Sequence, residues 1–363
     1  DNLPDYEYND ITYNETYEGI DGDKKTRQKI CRFAKKKDGS LGIIPLILKN
    51  LLSERKATKK EMKKEKDKDK KALLDGKQLA LKITANSVYG QCGASTSTIY
   101  LKAIAASTTA TGRFMLELAR DYMENDFPII VKNIYDAIKD KNEEKFNKIL
   151  DQELKERDNK KFIDMMKKQL TEIFDNYNIK PVTMYGDTDS VFIDFFIQDK
   201  DGIDLVTKQG LIYAINLGEI AGVLIKSRLR QPQDLEYEKT FWPFCIMSKK
   251  RYVGNKYEFD PNKFKQNSMG IVLKRRDNAN VVKKIVGGMV DILLNEIDIE
   301  KAVKFMKTSL SNLLQGKYPI KDFITTKTLK KKYKDRTRIV HVCLADRMYA
   351  RDPGSAPQVN TRI

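Results

Sequence analysis

The chain has 363 residues, of which 40% are hydrophobic and 33% are charged. This length is enough for two or three domains, and the composition is typical of a globular protein with a charged surface. No apolar run approaches the roughly 18 residues of a membrane-spanning helix, so we expect no membrane partner. A single histidine, four widely separated cysteines and no Cys-x-x-Cys pair exclude a zinc site of standard spacing. Reduced thiols of this kind predict an intracellular protein.

The net charge is +17, with 68 Lys and Arg residues against 51 Asp and Glu residues. A positive field of this size attracts polyanions, and nucleic acid is the first candidate. Charge alone leaves open that the protein is merely basic and soluble.

In chain order, residues 1–40 are polar, and we expect them to be irregular or partly extended. Apolar positions at helical spacing predict a helix from Leu41 to about Lys71 and a second from Leu73 to Gly90. Two helices joined by a short polar segment predict an antiparallel hairpin. A third helix is predicted over Ala103 to Met123.

The remaining segments alternate between helical and extended patterns. Lys132 to Lys180 is charged and helix-forming, and it reads as an inserted helical excursion before a strand that starts at residue 181. The further predicted elements are an amphipathic helix over Gly210 to Leu229, an aromatic strand region over Phe241 to Tyr257, and helices over Ala279 to Asn295 and Glu300 to Leu314.

Two acidic residues, Asp187 and Asp189, lie between apolar runs that are typical of β-strands. Gly186 to Thr188 fits a tight turn, because Gly and Asp tolerate the backbone angles that a turn needs. A hairpin of this kind presents two carboxylates at its tip, and such oxygen ligands suit Mg²⁺. The alternative is an acidic surface turn without a ligand.

Cations on the two predicted helices share faces. Arg55 and Lys59 are four residues apart, and Lys82, Asn86 and Tyr89 follow the i, i+4, i+7 spacing of one helix face. If the helices pair, the three cations can converge on a triphosphate, with the Asn86 amide beside them. Otherwise Arg55 and Lys59 are ordinary members of a Lys-rich surface.

Basic clusters recur in the C-terminal third. Lys249, Lys250, Arg251 and Tyr252 follow an aromatic segment, and interleaved cations and aromatic rings suit a nucleic-acid backbone. By itself this tetrapeptide could equally be a solvated basic turn. Two more basic clusters lie at residues 274–276 and 327–332. Together the clusters fit a surface that binds duplex DNA without sequence specificity.

Several of these segments resemble the motifs of family B DNA polymerases. Lys82 to Gly90 resembles motif B (Lys-x3-Asn-Ser-x-Tyr-Gly), and Tyr185 to Ser190 resembles motif C, in the correct order. Lys249 to Tyr252 resembles the Lys-Lys-Arg-Tyr motif that follows. Matches to the delta-type and large-virus branch also occur at residues 51–56, 275–278 and 351–357, so the resemblance runs from about Leu41 to the end.

The resemblance implies an α+β chain with the right-hand polymerase architecture. Residues 1–41 would be the N-terminal part of the palm, 42–94 a helical-hairpin fingers domain, 95–273 the rest of the palm, and 274–363 part of a mostly helical thumb. The palm would carry motif C and a charged insertion at about 125–180. That insertion is longer than in cellular delta-type enzymes, which favours a large DNA virus as the source.

The implied activity is extension of a primer 3′-OH with deoxynucleotides in DNA replication. Asp189 would be a direct metal ligand and Asp187 a supporting carboxylate in a centre for two Mg²⁺ ions. The incoming dNTP would contact Arg55, Lys59, Lys82, Asn86 and Tyr89. The primer–template DNA would contact Lys249, Lys250, Arg251, Tyr252, Arg275 and Arg276.

One expected motif is absent. The family's motif A, which supplies a further carboxylate, is not in this sequence, and we expect it just upstream of residue 1. We therefore expect the 363-residue chain to be inactive in primer extension by itself. A sliding clamp or processivity factor is a possible partner of the intact protein. The alternative reading is a catalytically inactive homologue that acts only as a DNA-binding replication factor.

Overall fold

The computed structural model describes residues 3–18, 21–154, 160–333 and 335–363. It is a mixed structure, 53% helical and 18% strand, which confirms the predicted mixture of helix and sheet. The described parts fall into two compact units, Asp1–Asp126 with Val182–Ile193, and Phe127–Pro181 with Asp194–Ile363. The right-hand layout and the division into palm, fingers and thumb stay predictions.

The first unit begins with a long antiparallel ribbon of β1 (Tyr6–Glu18) and β2 (Lys24–Lys36). Of the two expectations for this segment, irregular or partly extended, the extended one agrees with the structure, although the sequence did not predict a paired ribbon. The ribbon has a period-2 pattern on one face, where Ile11 and Phe33 line a cavity of about 400 Å³ together with residues of a nearby helix. That helix is α3 (Lys102–Asp121), which agrees with the prediction, and it continues as a π-helical turn, Tyr122–Asp126.

Glu15 joins the ribbon to α3. Its side chain is only 8% exposed, and it accepts hydrogen bonds from Arg27 at 2.8 Å, Lys29 at 3.0 Å and Lys102 of α3 at 2.8 Å. We call these four residues the Glu15 cluster. The Lys102 bond, together with those of Lys29 and Arg27, lowers the pKa of Glu15 from 4.5 to about 2.

The predicted helical hairpin is present as α1 (Ile43–Lys64) and α2 (Lys68–Gly93). The predicted break near residue 72 was wrong, because the chain turns at Glu65–Asp67. Asp67 caps α2 by accepting from the backbone N–H groups of Asp69 and Lys70. The N-cap therefore fixes the start of α2 earlier than the apolar periodicity indicated.

The first unit also holds a two-stranded hairpin, β3 (Val182–Asp187) and β4 (Ser190–Asp194). Its strands lie where the sequence predicted them. The chain between Asp126 and Val182, by contrast, belongs to the second unit.

The second unit starts with the predicted helical excursion. Its helices are α4 (Phe127–Lys139), α5 (Glu143–Glu153) and α6 (Lys160–Phe174). They are part of the core rather than a solvated appendage, since Ile134, Leu170 and Ile173 are fully buried. A further helix, α7 (Lys208–Leu224), contacts α6 in this core.

The sequence predicts that α7 is amphipathic, but it is buried around most of its surface. Eight of its residues are buried. Gly218 leaves room for the Tyr237 ring, and Gly222 lets the Tyr237 backbone pass close to the helix. Within the described residues, Lys208–Arg228 also has the length and hydropathy of a membrane span, although half of that window is buried inside the structure. A core helix of a soluble protein meets the same criteria.

The rest of the second unit is a small sheet followed by helices. The sheet has the order β5 (Thr240–Ser248), β6 (Arg251–Tyr257) and β7 (Phe264–Met269), all antiparallel. The helices that follow it are α8 (Asn280–Asp291), α9 (Ile299–Leu314) and α10 (Val340–Arg351). The first two of these helices agree with the sequence prediction.

The Glu15 cluster predicts a specific acid sensitivity. Because the folded-state pKa of Glu15 is below its ordinary value, its stabilisation is fully present above pH 4.5 and is lost as the pH falls towards 2. We expect the difference in Tm between the native chain and Glu15→Gln to shrink over this window, as measured by circular dichroism. Glu7→Gln, an exposed carboxylate on the same strand, is the control and should change Tm little. A difference that stays constant with pH would contradict the role of the Glu15 charge.

Candidate functional site

The acidic hairpin places Asp187 and Asp189 on either side of Thr188. The residues outside the strands are Thr188 and Asp189, and Thr188 has a φ of 58°. The predicted turn at Gly186–Thr188 is therefore shifted, since Gly186 lies within β3. The turn is closed by the Asp189 N–H, which donates to the Asp187 carbonyl at 2.6 Å.

The two carboxylates differ in surroundings. Asp187 is half-buried, and its Oδ1 accepts from the Thr188 hydroxyl at 2.9 Å. Asp189 is exposed, and no ion pair to it is found among the described residues. Asp189 is therefore the more accessible oxygen ligand of the two, and Asp187 is the better held.

The hairpin is attached to the π-helical turn that ends α3. The backbone N–H of Thr183 in β3 donates to the Glu124 carboxylate at 2.8 Å. At the other end of the strand, the rings of Tyr185 and Phe192 contact each other across the hairpin at 5.5 Å. Glu124 is a positioning residue that the sequence analysis missed, because no motif marks a π-helical turn.

The hairpin fits a hard cation only in part. Carboxylate oxygens are the ligands that Mg²⁺ prefers, and the tip supplies two such groups. In the part of the chain that the structure describes, no three His, Cys, Asp or Glu side chains come together as a metal-binding group. The two carboxylates thus supply some of the ligands of a metal centre and need others.

The cations of the helical hairpin lie on neighbouring turns. Glu54 of α1 pairs with Lys77 of α2 at 3.0 Å, and Arg55 donates to Gln78 at 3.4 Å. Along the axis of the hairpin, Lys59 lies about 6 Å from Arg55, because it is four residues further along α1 at 1.5 Å per residue. Lys82 lies four residues beyond Gln78 on the antiparallel helix α2, and therefore about 6 Å from Arg55 in the opposite direction. The three cations therefore span about 12 Å along the hairpin.

These side chains differ in what they contact. Arg55 is half-buried, whereas Lys59, Lys82 and Asn86 are exposed. Across the described ranges, neither lysine forms an ion pair. The Tyr89 hydroxyl is 3.0 Å from the Thr109 hydroxyl of α3, so the end of α2 is tied to the neighbouring helix.

The predicted DNA-contacting residues of the second unit divide into exposed and buried groups. Lys249, Lys250 and Arg251 are exposed at the turn between β5 and β6, and Lys250 has a φ of 60°. Tyr252 is only 7% exposed, and its ring lies against Phe244 at 5.5 Å. The three cations are accessible to a ligand, while most of the Tyr252 ring supports the sheet.

The next two predicted DNA-contacting residues, Arg275 and Arg276, also differ in their surroundings. Arg275 donates two hydrogen bonds to Asp277, at 3.1 and 2.9 Å, and these bonds hold the pKa of Asp277 well below its ordinary value. Lys327 lies 3.5 Å from the same carboxylate. Arg276 is exposed. The charge of Arg275 is therefore partly neutralised inside the protein.

Comparisons with known proteins agree on one family. A family model described as DNA polymerase family B matches residues 9–363. The chain is 42% identical to a DNA polymerase of Pyramimonas orientalis virus, over 100% of this chain and 29% of the relative. It is 35% identical to the DNA polymerase delta catalytic subunit of Candida albicans, over 89% of this chain and 26% of the relative. The chain thus spans less than a third of the length of these relatives.

The Glu124 contact predicts a difference between two substitutions. Glu124→Ala leaves the Thr183 N–H without its acceptor, so we expect a loss of about 1–2 kcal/mol in the free energy of unfolding. Glu124→Gln keeps an acceptor oxygen and should cost less than about 0.5 kcal/mol. Urea unfolding and hydrogen exchange at the Thr183 amide measure both effects. Equal losses in the two variants, with unchanged exchange, would show that the contact does not hold the hairpin.

Proposed function

The chain belongs to DNA polymerase family B, and on that basis we propose that it is part of a DNA-directed DNA polymerase. The proposed reaction joins a dNTP to a primer 3′-OH on a DNA template, releases pyrophosphate and serves DNA replication. The observation that carries this proposal is the acidic hairpin tip, where Asp187 and Asp189 flank a closed turn. The setting we propose is intracellular, in the nucleus or at a cytoplasmic viral replication site.

The proposed metal ligands follow from exposure. Asp189 points its carboxylate to solvent and would bind Mg²⁺ directly, while Asp187 would support it from a half-buried position. When bound, two Mg²⁺ ions supply charge neutralisation at the attacking and leaving oxygens. The protein's own contribution is a turn whose backbone is fixed before the metal arrives, which limits reorganisation.

The proposed triphosphate site is the cation row on the helical hairpin. Lys59 and Lys82 have ammonium groups available for phosphate oxygens, and Arg55 is held between them by Gln78. Charge-assisted hydrogen bonds from such groups are about twice as strong as neutral ones. Asn86 would add an amide donor, and Tyr89 would lie against the new base pair.

The proposed duplex contacts are the exposed cations of the second unit. Lys249, Lys250, Arg251 and Arg276 are accessible, and contacts to phosphates carry no sequence information. We expect smaller contributions from Tyr252, which is mostly buried, and from Arg275, which is paired with Asp277. A sliding clamp or processivity factor remains a proposed partner. The inactive DNA-binding alternative is less favoured, because the carboxylates and the cation row are all retained.

The catalytic assignment predicts a loss of synthesis without a loss of DNA binding. The test is a chimera in which this chain replaces the matching region of the Pyramimonas orientalis virus polymerase. In it, Asp189→Asn should lower primer extension at least about a hundredfold, because charge stabilisation in the transition state is lost. Duplex affinity, measured by anisotropy, should stay within about twofold.

The control for this prediction is Asp164→Asn, which removes an exposed carboxylate from α6. It should leave extension unchanged. Parallel losses of extension and duplex binding in Asp189→Asn would assign the residue a structural role. Full extension activity in that variant would remove Asp189 from the metal centre.

The triphosphate site can be tested in the 363-residue chain itself. We expect Lys82→Gln and Lys59→Gln each to weaken dNTP binding by about tenfold, or about 1.4 kcal/mol, because each removes a phosphate contact. Equilibrium dialysis with a labelled dNTP measures this affinity. Lys49→Gln makes the same charge change on α1, about 120° around the helix from Arg55. If all three variants bind alike, the cation row is not the triphosphate site.

A further inference from the structure

The Glu15 cluster brings three cations to one carboxylate. Arg27 donates through two nitrogens to Oε2, Lys29 contacts the same oxygen at 3.0 Å, and Lys102 contacts Oε1 at 2.8 Å. None of these residues belongs to the sites proposed above. The cluster lies entirely within the first unit, at the junction of the ribbon and α3.

The cluster carries an excess of two positive charges. One carboxylate neutralises one of the three cations, and the hydrogen bonds to Glu15 lower its pKa still further below neutral pH. Cations held this close together repel each other unless an anion is present. The cluster therefore has the net charge to bind an anion that carries about two negative charges.

The cations remain open to a ligand. Their side chains are 53% exposed for Arg27, 43% for Lys29 and 58% for Lys102. A lysine ammonium has three N–H donors and a guanidinium has five, and Glu15 uses only some of them. In the described residues, no second carboxylate pairs with these three side chains. Glu15 fixes their positions while leaving donors that point elsewhere.

Aromatic rings border the same cations. The Arg27 guanidinium lies over the Tyr17 ring at 4.9 Å, and Tyr13 and Tyr100 are close enough to Lys102 to interact electrostatically with it. Tyr17 is 38% exposed and Tyr100 is 43% exposed. Exposed cations beside accessible aromatic rings are a combination that suits single-stranded nucleic acid, because backbone phosphates contact the cations and bases stack on the rings.

We propose that the Glu15 cluster binds the phosphodiester backbone of single-stranded nucleic acid, with Arg27, Lys29 and Lys102 as the phosphate contacts. Two adjacent phosphodiesters match its excess charge. Glu15 is then a positioning residue that holds the three cations in place and moderates their affinity. This site goes beyond the proposed catalytic function and is tested without any extension reaction.

The test uses substitutions of opposite sign in the 363-residue chain. Lys29→Gln and Lys102→Gln should each weaken binding of a labelled single-stranded oligodeoxynucleotide by roughly two- to fivefold, the range of one exposed charge pair. Each should also reduce the slope of log affinity against log salt by about 0.7. Glu15→Gln should strengthen binding by a similar factor, since it removes the competing carboxylate. Fluorescence anisotropy measures all three, below the unfolding temperature of every variant.

Two controls separate this site from general basicity and from folding. Lys36→Gln removes an exposed lysine that lies on β2, as Lys29 does, but outside the cluster. It should change binding by less than the cluster variants do. Arg27→Lys keeps the charge and should retain most of the affinity. If Glu15→Gln leaves binding unchanged, or if Lys29→Gln and Lys102→Gln match Lys36→Gln, the cluster is only a structural link between ribbon and helix. If inorganic pyrophosphate displaces the oligonucleotide at equal concentration, a free polyphosphate is the ligand instead.

Discussion

The hydrogen bond from Thr183 to Glu124 is the contact on which the acidic hairpin depends. An isolated two-stranded hairpin is marginally stable in water, and the tip of this one carries two like charges. Both ends of the hairpin continue into the second unit, yet its strands belong to the first. Glu124 fixes β3 to the end of α3, so the carboxylates are presented by a supported strand. The hairpin tolerates an exposed carboxylate at Asp189 only because Glu124 holds the strand below it.

The cations of this basic chain divide into two groups that the net charge does not distinguish. Arg275 and the cations of the Glu15 cluster are held by carboxylates at 2.8–3.0 Å. Lys59 and Lys82 have no such partner among the residues described. Cations that are held fixed define geometry, whereas cations without a partner are available to a mobile anion. The Glu15 cluster combines both properties, because its three cations share one carboxylate.

Much of the helical structure could be predicted from apolar periodicity alone. The ranges of α3 and α9 and the strands around Asp187 follow directly from local pattern. The boundary between α1 and α2 could not, because the Asp67 cap overrides the continuing helical pattern. The ribbon was missed for another reason: its buried face consists of alternate residues in a polar sequence, and only packing against α3 shows which face is inside.

The candidate site shows the same limit more sharply. Lys249 to Tyr252 form one motif in the sequence, but a strand alternates its side chains between faces. Tyr252 is consequently buried while Arg251 beside it is exposed. A motif therefore specifies which residues recur together, not which of them reach a ligand. The Glu15 cluster is the opposite example. Its residues are up to 87 positions apart and form no motif, yet the fold brings Arg27 and Lys102 to the Glu15 carboxylate. Sites of the second kind follow from the fold's pairing of distant charges and can be found only after it is known.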